Sequence, residues 1–124
     1  MKENPYHEDR EQLNELLRQY KNLRNGLGNS FLEEEAFEKI ISYFQEKEDY
    51  PRAMEAAGYA IDQYPYSAML LVKKADILLA MRKYQEALDV LDEAALYDHT
   101  DINLYILKTD AYLALDMQDK AVVL

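Results

Sequence analysis

The chain has 124 residues, a net charge of −10 and no cysteine. Its length allows one domain with a modest core, and its 49% of hydrophobic residues is typical of a globular protein. The lack of cysteine excludes a disulfide framework, a thiolate metal site and a cysteine nucleophile, and the negative charge disfavours binding to nucleic-acid phosphates.

Membrane insertion and secretion are also disfavoured. No apolar run approaches the ~20 residues that a membrane-spanning helix needs, and the N-terminus lacks the apolar stretch of a secretory signal. We therefore expect a cytoplasmic protein. The acidity is concentrated in residues 31–66, which carry nine acidic and three basic side chains. This charge either keeps the surface soluble, which we favour, or attracts basic partners.

Residues 8–25 are predicted to form a separate N-terminal helix. Its apolar residues recur about every 3.5 positions and are Leu13, Leu16 or Leu17, Tyr20, Leu23 and Leu27. The pattern lasts about two heptads, fewer than a stable coiled coil needs. We favour a helix that caps the next unit over a dimerisation or partner-binding helix. Glycines in residues 25–29 then end the helix, so residues 1–30 are assigned to this helix and a Gly/Asn linker.

A 34-residue period follows the linker. Ala53, Ala87 and Ala121 are 34 residues apart. Bulky residues recur sixteen, nine and three residues before these alanines. They are Phe37, Leu71 and Tyr105, then Phe44, Leu78 and Tyr112, then Tyr50 and Tyr84. Such a period indicates a repeat protein in which each unit is one supersecondary structure.

Each unit is predicted to be a pair of antiparallel helices. Two apolar stripes at helical spacing lie in the second unit. They are formed by Leu71, Ala75 and Leu78, and by Ala87, Leu91 and Ala94. Only residues 81–84 separate the stripes, which leaves room for a tight turn alone. The alanines allow the paired helices to approach closely, and the large side chains fill the space between them.

Capping signals set the predicted boundaries. Ser30 and Glu33 form a capping box before the first helix, and Pro51 suits the first turn of the second. Pro65 follows that helix, and Thr100 or Asp101 caps the third unit. The repeats are therefore assigned to residues 31–66, 67–101 and 102–124.

The third unit is predicted to be incomplete. A turn at Asp116 would precede a second helix that begins near Gln118 and reaches the last residue, Leu124, after about one turn. We therefore expect a piece of a longer repeat protein. We also expect self-association, through the bare face of this unit or through the N-terminal helix.

Over residues 34–124 the pattern resembles the tetratricopeptide repeat family. The two small residues of that family's second helix match Ala53 and Ala60 in the first unit, and Ala87 and Ala94 in the second. Departures include three residues in the place of the usual turn glycine, namely Glu48, Arg82 and Asp116. The resemblance implies an all-α fold, a right-handed superhelix of antiparallel helix pairs (an α-solenoid), to which the N-terminal helix is added.

The resemblance also implies a binding groove on the first helices of the pairs. A partner peptide or helix would contact the residues that lie off the packing stripe, unless these residues merely face solvent. They are Glu35, Glu38, Ser42, Met69, Val72, Lys73, Asp76, Asn103, Ile106 and Asp110.

The predicted groove favours a particular ligand chemistry. Some family members bind a carboxylate through asparagines in the slots that hold Ser42, Asp76 and Asp110 here. Two aspartates would repel a carboxylate, which disfavours an acidic tail. Apolar side chains such as Met69 and Ile106 offer contacts to apolar anchors, and the aspartates can pair with Lys or Arg. We expect a partner segment with apolar and basic residues.

No catalytic, cofactor-binding or metal-binding motif is recognised. The two histidines, His7 and His99, lie in different segments, and residues 98–101 are more typical of a turn with a helix cap than of a metal site. Gly26 and Gly28 follow a helix and lack the other residues of a phosphate loop. We predict a protein–protein interaction module, an adaptor or scaffold, and no enzyme. The alternatives are a structural or self-association domain of a larger repeat protein and, less favoured, an enzyme or small-molecule binder.

Overall fold

The computed structural model describes residues 5–27 and 31–123, with side chains for residues 10–27 and 31–117. Over these ranges the fold is all-α, as predicted, with six helices and no strand. In chain order α1 to α6 are Pro5–Arg24, Glu34–Glu46, Tyr50–Gln63, Ala68–Ala80, Tyr84–Tyr97 and Ile102–Val123. None of the helices in these ranges combines the length and apolar character that crossing a membrane requires.

The helices α2 and α4 end in the same turn. Glu48 and Arg82 adopt left-handed backbone, with φ of 56° and 63°. In both turns the amide of the following residue donates to the carbonyl five residues earlier. Asp49 donates to Phe44 at 2.9 Å, and Lys83 donates to Leu78 at 2.8 Å. This is a Schellman motif, which reverses the chain. It makes α2/α3 and α4/α5 antiparallel pairs.

Small residues lie at the contacts within each pair. The four alanines that the period singled out in the first two units, Ala53, Ala60, Ala87 and Ala94, are fully buried, as predicted. Two neighbouring core clusters surround them, with the large side chains mostly on the first helix of each pair. The close approach at alanine and the filling by larger neighbours together give a dense core.

The first helices of the three units, α2, α4 and α6, pack side by side. Each helix contacts the next in the chain, and α2 also contacts α4, as α4 contacts α6. Among the described residues, α3 and α5 make no such contact with each other. The row of first helices is therefore more closely spaced than the row of second helices, and α2, α4 and α6 share one face.

Helix α1 lies on the first pair, the arrangement that the favoured capping interpretation requires. Tyr20 is 3% exposed, and its ring lies edge-on to Phe44 of α2 and Tyr59 of α3, with centroids 6.2 and 6.0 Å apart. Its hydroxyl donates to Glu55 of α3 at 3.2 Å, and Arg24 lies 3.5 Å from the same carboxylate. The apolar stripe of α1 is therefore used largely within the chain.

The chain enters α2 in extended backbone. The Leu32 amide donates to the Gln63 side-chain oxygen at 3.2 Å, and the Tyr64 hydroxyl donates to the Leu32 carbonyl at 2.7 Å. The predicted capping box is therefore wrong: α2 begins at Glu34 and Glu33 takes the N-cap position. Glu33 is extended, with φ of −69° and ψ of 153°, so the helix does not start earlier. Ser30 itself lies outside the described residues.

The predicted turn and second helix of the third unit are also wrong. Helix α6 runs without a break from Ile102 to Val123 through Asp116, the position equivalent to Glu48 and Arg82. A left-handed non-glycine residue costs about 1–2 kcal/mol, which burial of α3 and α5 offsets in the first two units. Among the described residues no further helix packs against α6 in this way. The side chain of Ala121 lies outside the described residues.

Candidate binding groove

The shared face of the first helices contains two adjoining hollows. One, of about 550 Å³, lies between α1 and α2 and is lined by Gln12, Leu13, Glu35, Glu38, Lys39, Ser42, Tyr43 and Glu46. The other, of about 340 Å³, spans α2 to α6 and is lined by Glu38, Met69, Val72, Lys73, Asp76, Asp101, Asn103, Ile106 and Leu107. Glu38 lines both hollows, so they adjoin at this side chain, and we call the two together the acidic groove.

The acidic groove combines carboxylates with apolar side chains. Its five carboxylates against two lysines give a net charge of −3 when all are ionised. The carboxylates are Glu35, Glu38, Glu46, Asp76 and Asp101. Leucine, tyrosine, methionine, valine and isoleucine side chains lie among them. A surface of this kind can bury apolar anchors of a ligand and pair with its lysines or arginines.

A chain of polar contacts ties α2 to α4 along the acidic groove. The Lys73 ammonium donates to the Ser42 hydroxyl and, at 3.3 Å, to the Gln45 side-chain oxygen. The Gln45 amide in turn donates to the Asp76 carboxylate at 3.1 Å. Gln45 thus bridges a lysine and an aspartate. The Lys73 ammonium is thus hydrogen-bonded to two side chains of α2. The second lysine that lines the groove is Lys39.

Nine of the ten residues predicted for the groove line one or both hollows. The exception is Asp110, which is exposed on α6 beyond Leu107 and lines neither hollow. Val72 requires a correction, because it was predicted to lie off the packing stripe. It is 8% exposed and belongs to the core cluster that contains Leu71 and Leu104. Most of Val72 is therefore covered within this cluster, and only its edge reaches the hollow.

Several lining residues were not predicted. On α2, Lys39, Tyr43 and Glu46 continue the helical spacing of the predicted residues, so the same periodicity could have found them. Gln12 and Leu13 could not be found in this way, because the sequence does not fix how α1 packs on the first pair. Their contribution depends on tertiary structure.

The segment around His99 forms a turn and a cap, as predicted. The Thr100 hydroxyl and amide donate to Asp98 at 2.6 and 2.9 Å, which lowers the pKa of the Asp98 carboxyl. Asp101 caps α6 by accepting from the Asn103 amide at 2.9 Å. Within the described residues no three histidine, aspartate or glutamate side chains are placed to hold a metal ion. The side chain of His7 lies outside this part of the chain.

The protein therefore belongs to the class of all-α chains whose helices pack as antiparallel pairs beside a groove. Comparison with protein-family models, curated proteins and solved structures finds no match. The resemblance to the tetratricopeptide repeat accordingly stays a prediction.

Proposed function

We propose that this chain is a protein-binding module of the adaptor or scaffold class, built as a tetratricopeptide-like right-handed α-solenoid. Its ligand is a peptide or helix that lies in the acidic groove. The observation that carries the proposal is that two hollows adjoin at Glu38 and together cross α1, α2, α4 and α6. Adjoining hollows that together cross several helices suit an extended ligand better than a compact one.

The dimensions support a segment of polypeptide. Packed helices lie about 8–10 Å apart, so the three first helices span roughly 20 Å. An extended chain covers that distance with about six residues, at roughly 3.4 Å per residue. The ligand would therefore contact α2, α4 and α6 together.

The ligand chemistry follows from the net charge of −3 and from the apolar side chains. Lys or Arg residues of the ligand would pair with Glu38, Asp76 or Asp101. Apolar residues between them would contact Met69 and Ile106. An acidic segment would be repelled by the same carboxylates, and its association would be slow at low salt.

Selection of randomised peptides against the immobilised protein tests the proposal. We expect the enriched peptides to carry net positive charge with apolar residues between the charges. Their affinity should fall with increasing salt, because the pairing is between exposed charges. Enrichment of net acidic peptides would contradict the proposed ligand chemistry.

A matched pair of variants locates the binding surface. Glu38→Gln with Asp76→Asn removes two charges from the acidic groove, whereas Glu86→Gln with Glu93→Gln removes two charges from exposed positions of α5. We expect the first double variant to weaken binding of an enriched peptide and the second to leave it nearly unchanged. Equal loss in both variants would show a general charge effect and would contradict groove binding.

A self-association domain is the second candidate function. It is favoured by one observation, the large exposed side chains on α6. Peptide binding would use the acidic groove, and self-association would use mainly the exposed side chains of α6. Each function can therefore be tested separately.

A further inference from the structure

One face of α6 is exposed and largely apolar, with Thr109 and Asp116 as polar residues on it. Six of its large side chains are between 48% and 70% exposed. They are Ile102, Tyr105, Ile106, Tyr112, Leu113 and Met117. Leu104 and Ala111 on the opposite side are fully buried, so α6 packs through one face and leaves this second apolar face uncovered. We call it the α6 face.

The α6 face is the counterpart of a surface that the fold covers elsewhere. The residues 34 positions earlier, on α4, include Ala68, Leu71, Val72 and Leu78, and all four are buried in the core cluster that contains residues of α5 and α6. The positions of α4 that correspond to the α6 face are therefore covered by other helices. By the same packing rules the α6 face fits a helical partner.

The exposed area is large enough for a stable interface. A fully exposed side chain of this size offers roughly 200 Å², so the six side chains offer about 700 Å² per copy. Stable protein interfaces bury about 800 Å² per partner, whereas the largest apolar patches of monomers reach about 300–600 Å².

In the described residues α1 covers the first helix pair, whereas the α6 face is uncovered. Helix α1 packs there with Tyr20 in contact with Phe44 and Tyr59. Two copies that bury the α6 face against each other meet tail to tail, with the same surface of each copy placed about a twofold axis.

Four of the six α6-face residues are placed symmetrically about Thr109, whereas the position that matches Ile102 is Asp116 and the position that matches Met117 is Asp101. Counted from Thr109, Tyr105 and Leu113 lie four residues away on either side, and Ile106 and Tyr112 lie three away. In an antiparallel pair centred on Thr109, Tyr105 opposes Leu113 of the other copy, and Ile106 opposes Tyr112. Thr109 is small, and its hydroxyl already donates to the Tyr105 carbonyl at 2.9 Å, so two helices can approach closely there.

We propose that two copies of this chain associate tail to tail through antiparallel α6 helices that cross near Thr109. The inference does not rest on the proposed peptide binding. Of the α6-face residues only Ile106 also lines the acidic groove, so substitutions at the other positions separate the two surfaces.

Sedimentation equilibrium over a range of micromolar concentrations tests the proposal. We expect a dimer for the wild-type chain, a self-association constant lowered by more than about tenfold for Tyr112→Lys, and little change for Leu96→Lys. Leu96 is a matched control because it is 79% exposed on α5. Added salt should strengthen the dimer, because two chains of charge −10 repel each other. A wild-type chain that stays monomeric, or equal loss in both variants, would overturn the proposal.

Cysteine cross-linking tests the geometry directly, since the chain has no cysteine of its own. Thr109→Cys places one thiol on the proposed twofold axis, where the thiols of two copies meet at a distance that a disulfide can bridge. We expect mild oxidation to cross-link Thr109→Cys rapidly and Leu96→Cys slowly. Equal rates for the two variants would overturn the antiparallel arrangement about Thr109, even if the chain is dimeric.

Discussion

Glu48 and Arg82, 34 residues apart, hold the same left-handed backbone conformation, with φ of 56° and 63°. Both reverse the chain at the end of a first helix, and neither is a glycine. A side chain in this region crowds its own backbone, at a cost of about 1–2 kcal/mol. The sequence thus carries a local strain that the packing of α3 and α5 overcomes.

Glu48→Gly and Arg82→Gly should each raise the free energy of unfolding by about 1 kcal/mol, because glycine adopts the left-handed region without this strain. Urea titration followed by circular dichroism measures the change. The control is Glu93→Gly, an exposed position inside α5, which should lower stability by roughly 1 kcal/mol. Destabilisation by all three substitutions would show that the turns contribute no strain.

Ala87→Leu should lower the free energy of unfolding by roughly 1–3 kcal/mol. Ala87 is fully buried beside Leu91 and Leu78, so the larger side chain overpacks the contact between α4 and α5. Ala80→Leu adds the same atoms at an exposed position of α4 and should change stability little. A thermal melt unchanged by Ala87→Leu would contradict the placement of Ala87 in the contact between α4 and α5.

Stability should fall above pH 10, in part because of Tyr20. Burial and the nearby Glu55 carboxylate raise the pKa of the Tyr20 phenol above its usual value of 10.0. Below that pH the phenol is neutral in the folded and the unfolded chain. Above it the unfolded chain loses the proton first, so folding is progressively disfavoured.

Tyr20→Phe should therefore reduce the loss of stability between neutral and alkaline pH. At neutral pH it should cost about 1 kcal/mol, because the hydrogen bond to Glu55 is lost. Chemical denaturation at several pH values measures both effects, with Tyr66→Phe at an exposed site as the control. A pH profile equal to that of the wild type would exclude Tyr20 as a contributor.

Lys73→Met should strengthen the binding of basic peptides by roughly two- to fivefold, because it makes the acidic groove more negative by one charge. Lys74→Met makes the same change on α4 at a residue that does not line the groove. Fluorescence anisotropy with one labelled peptide compares the two. Equal affinity changes would indicate that overall charge, and not the groove, governs binding.

The sequence predicted the helix pairs because the period and the alanines describe packing within one unit. Ala53 and Ala60 recur as Ala87 and Ala94, and these contacts are local in the chain. Most of the predicted groove residues line the hollows for the same reason, since helical spacing alone places them on one face.

The failures of sequence reasoning concern contacts beyond one unit. Asp116 occupies the same position as Glu48 and Arg82, yet α6 continues through it, because a turn there gains stability only when another helix packs back. Leu32, just before α2, is hydrogen-bonded to the end of α3, which lies far away in the sequence. Val72 is buried in a cluster that includes residues of α5 and α6. No local pattern records these contacts.

The backbone of Leu32, where the chain enters the first helix pair, is hydrogen-bonded to Gln63 and Tyr64, where the chain leaves it. Entry and exit of this unit therefore lie together in space, as the termini of many compact domains do. A gene segment that encodes such a unit can be copied in tandem without stretching the backbone on either side. The 34-residue interval between Ala53 and Ala87 is the interval that such a duplication would leave in the sequence.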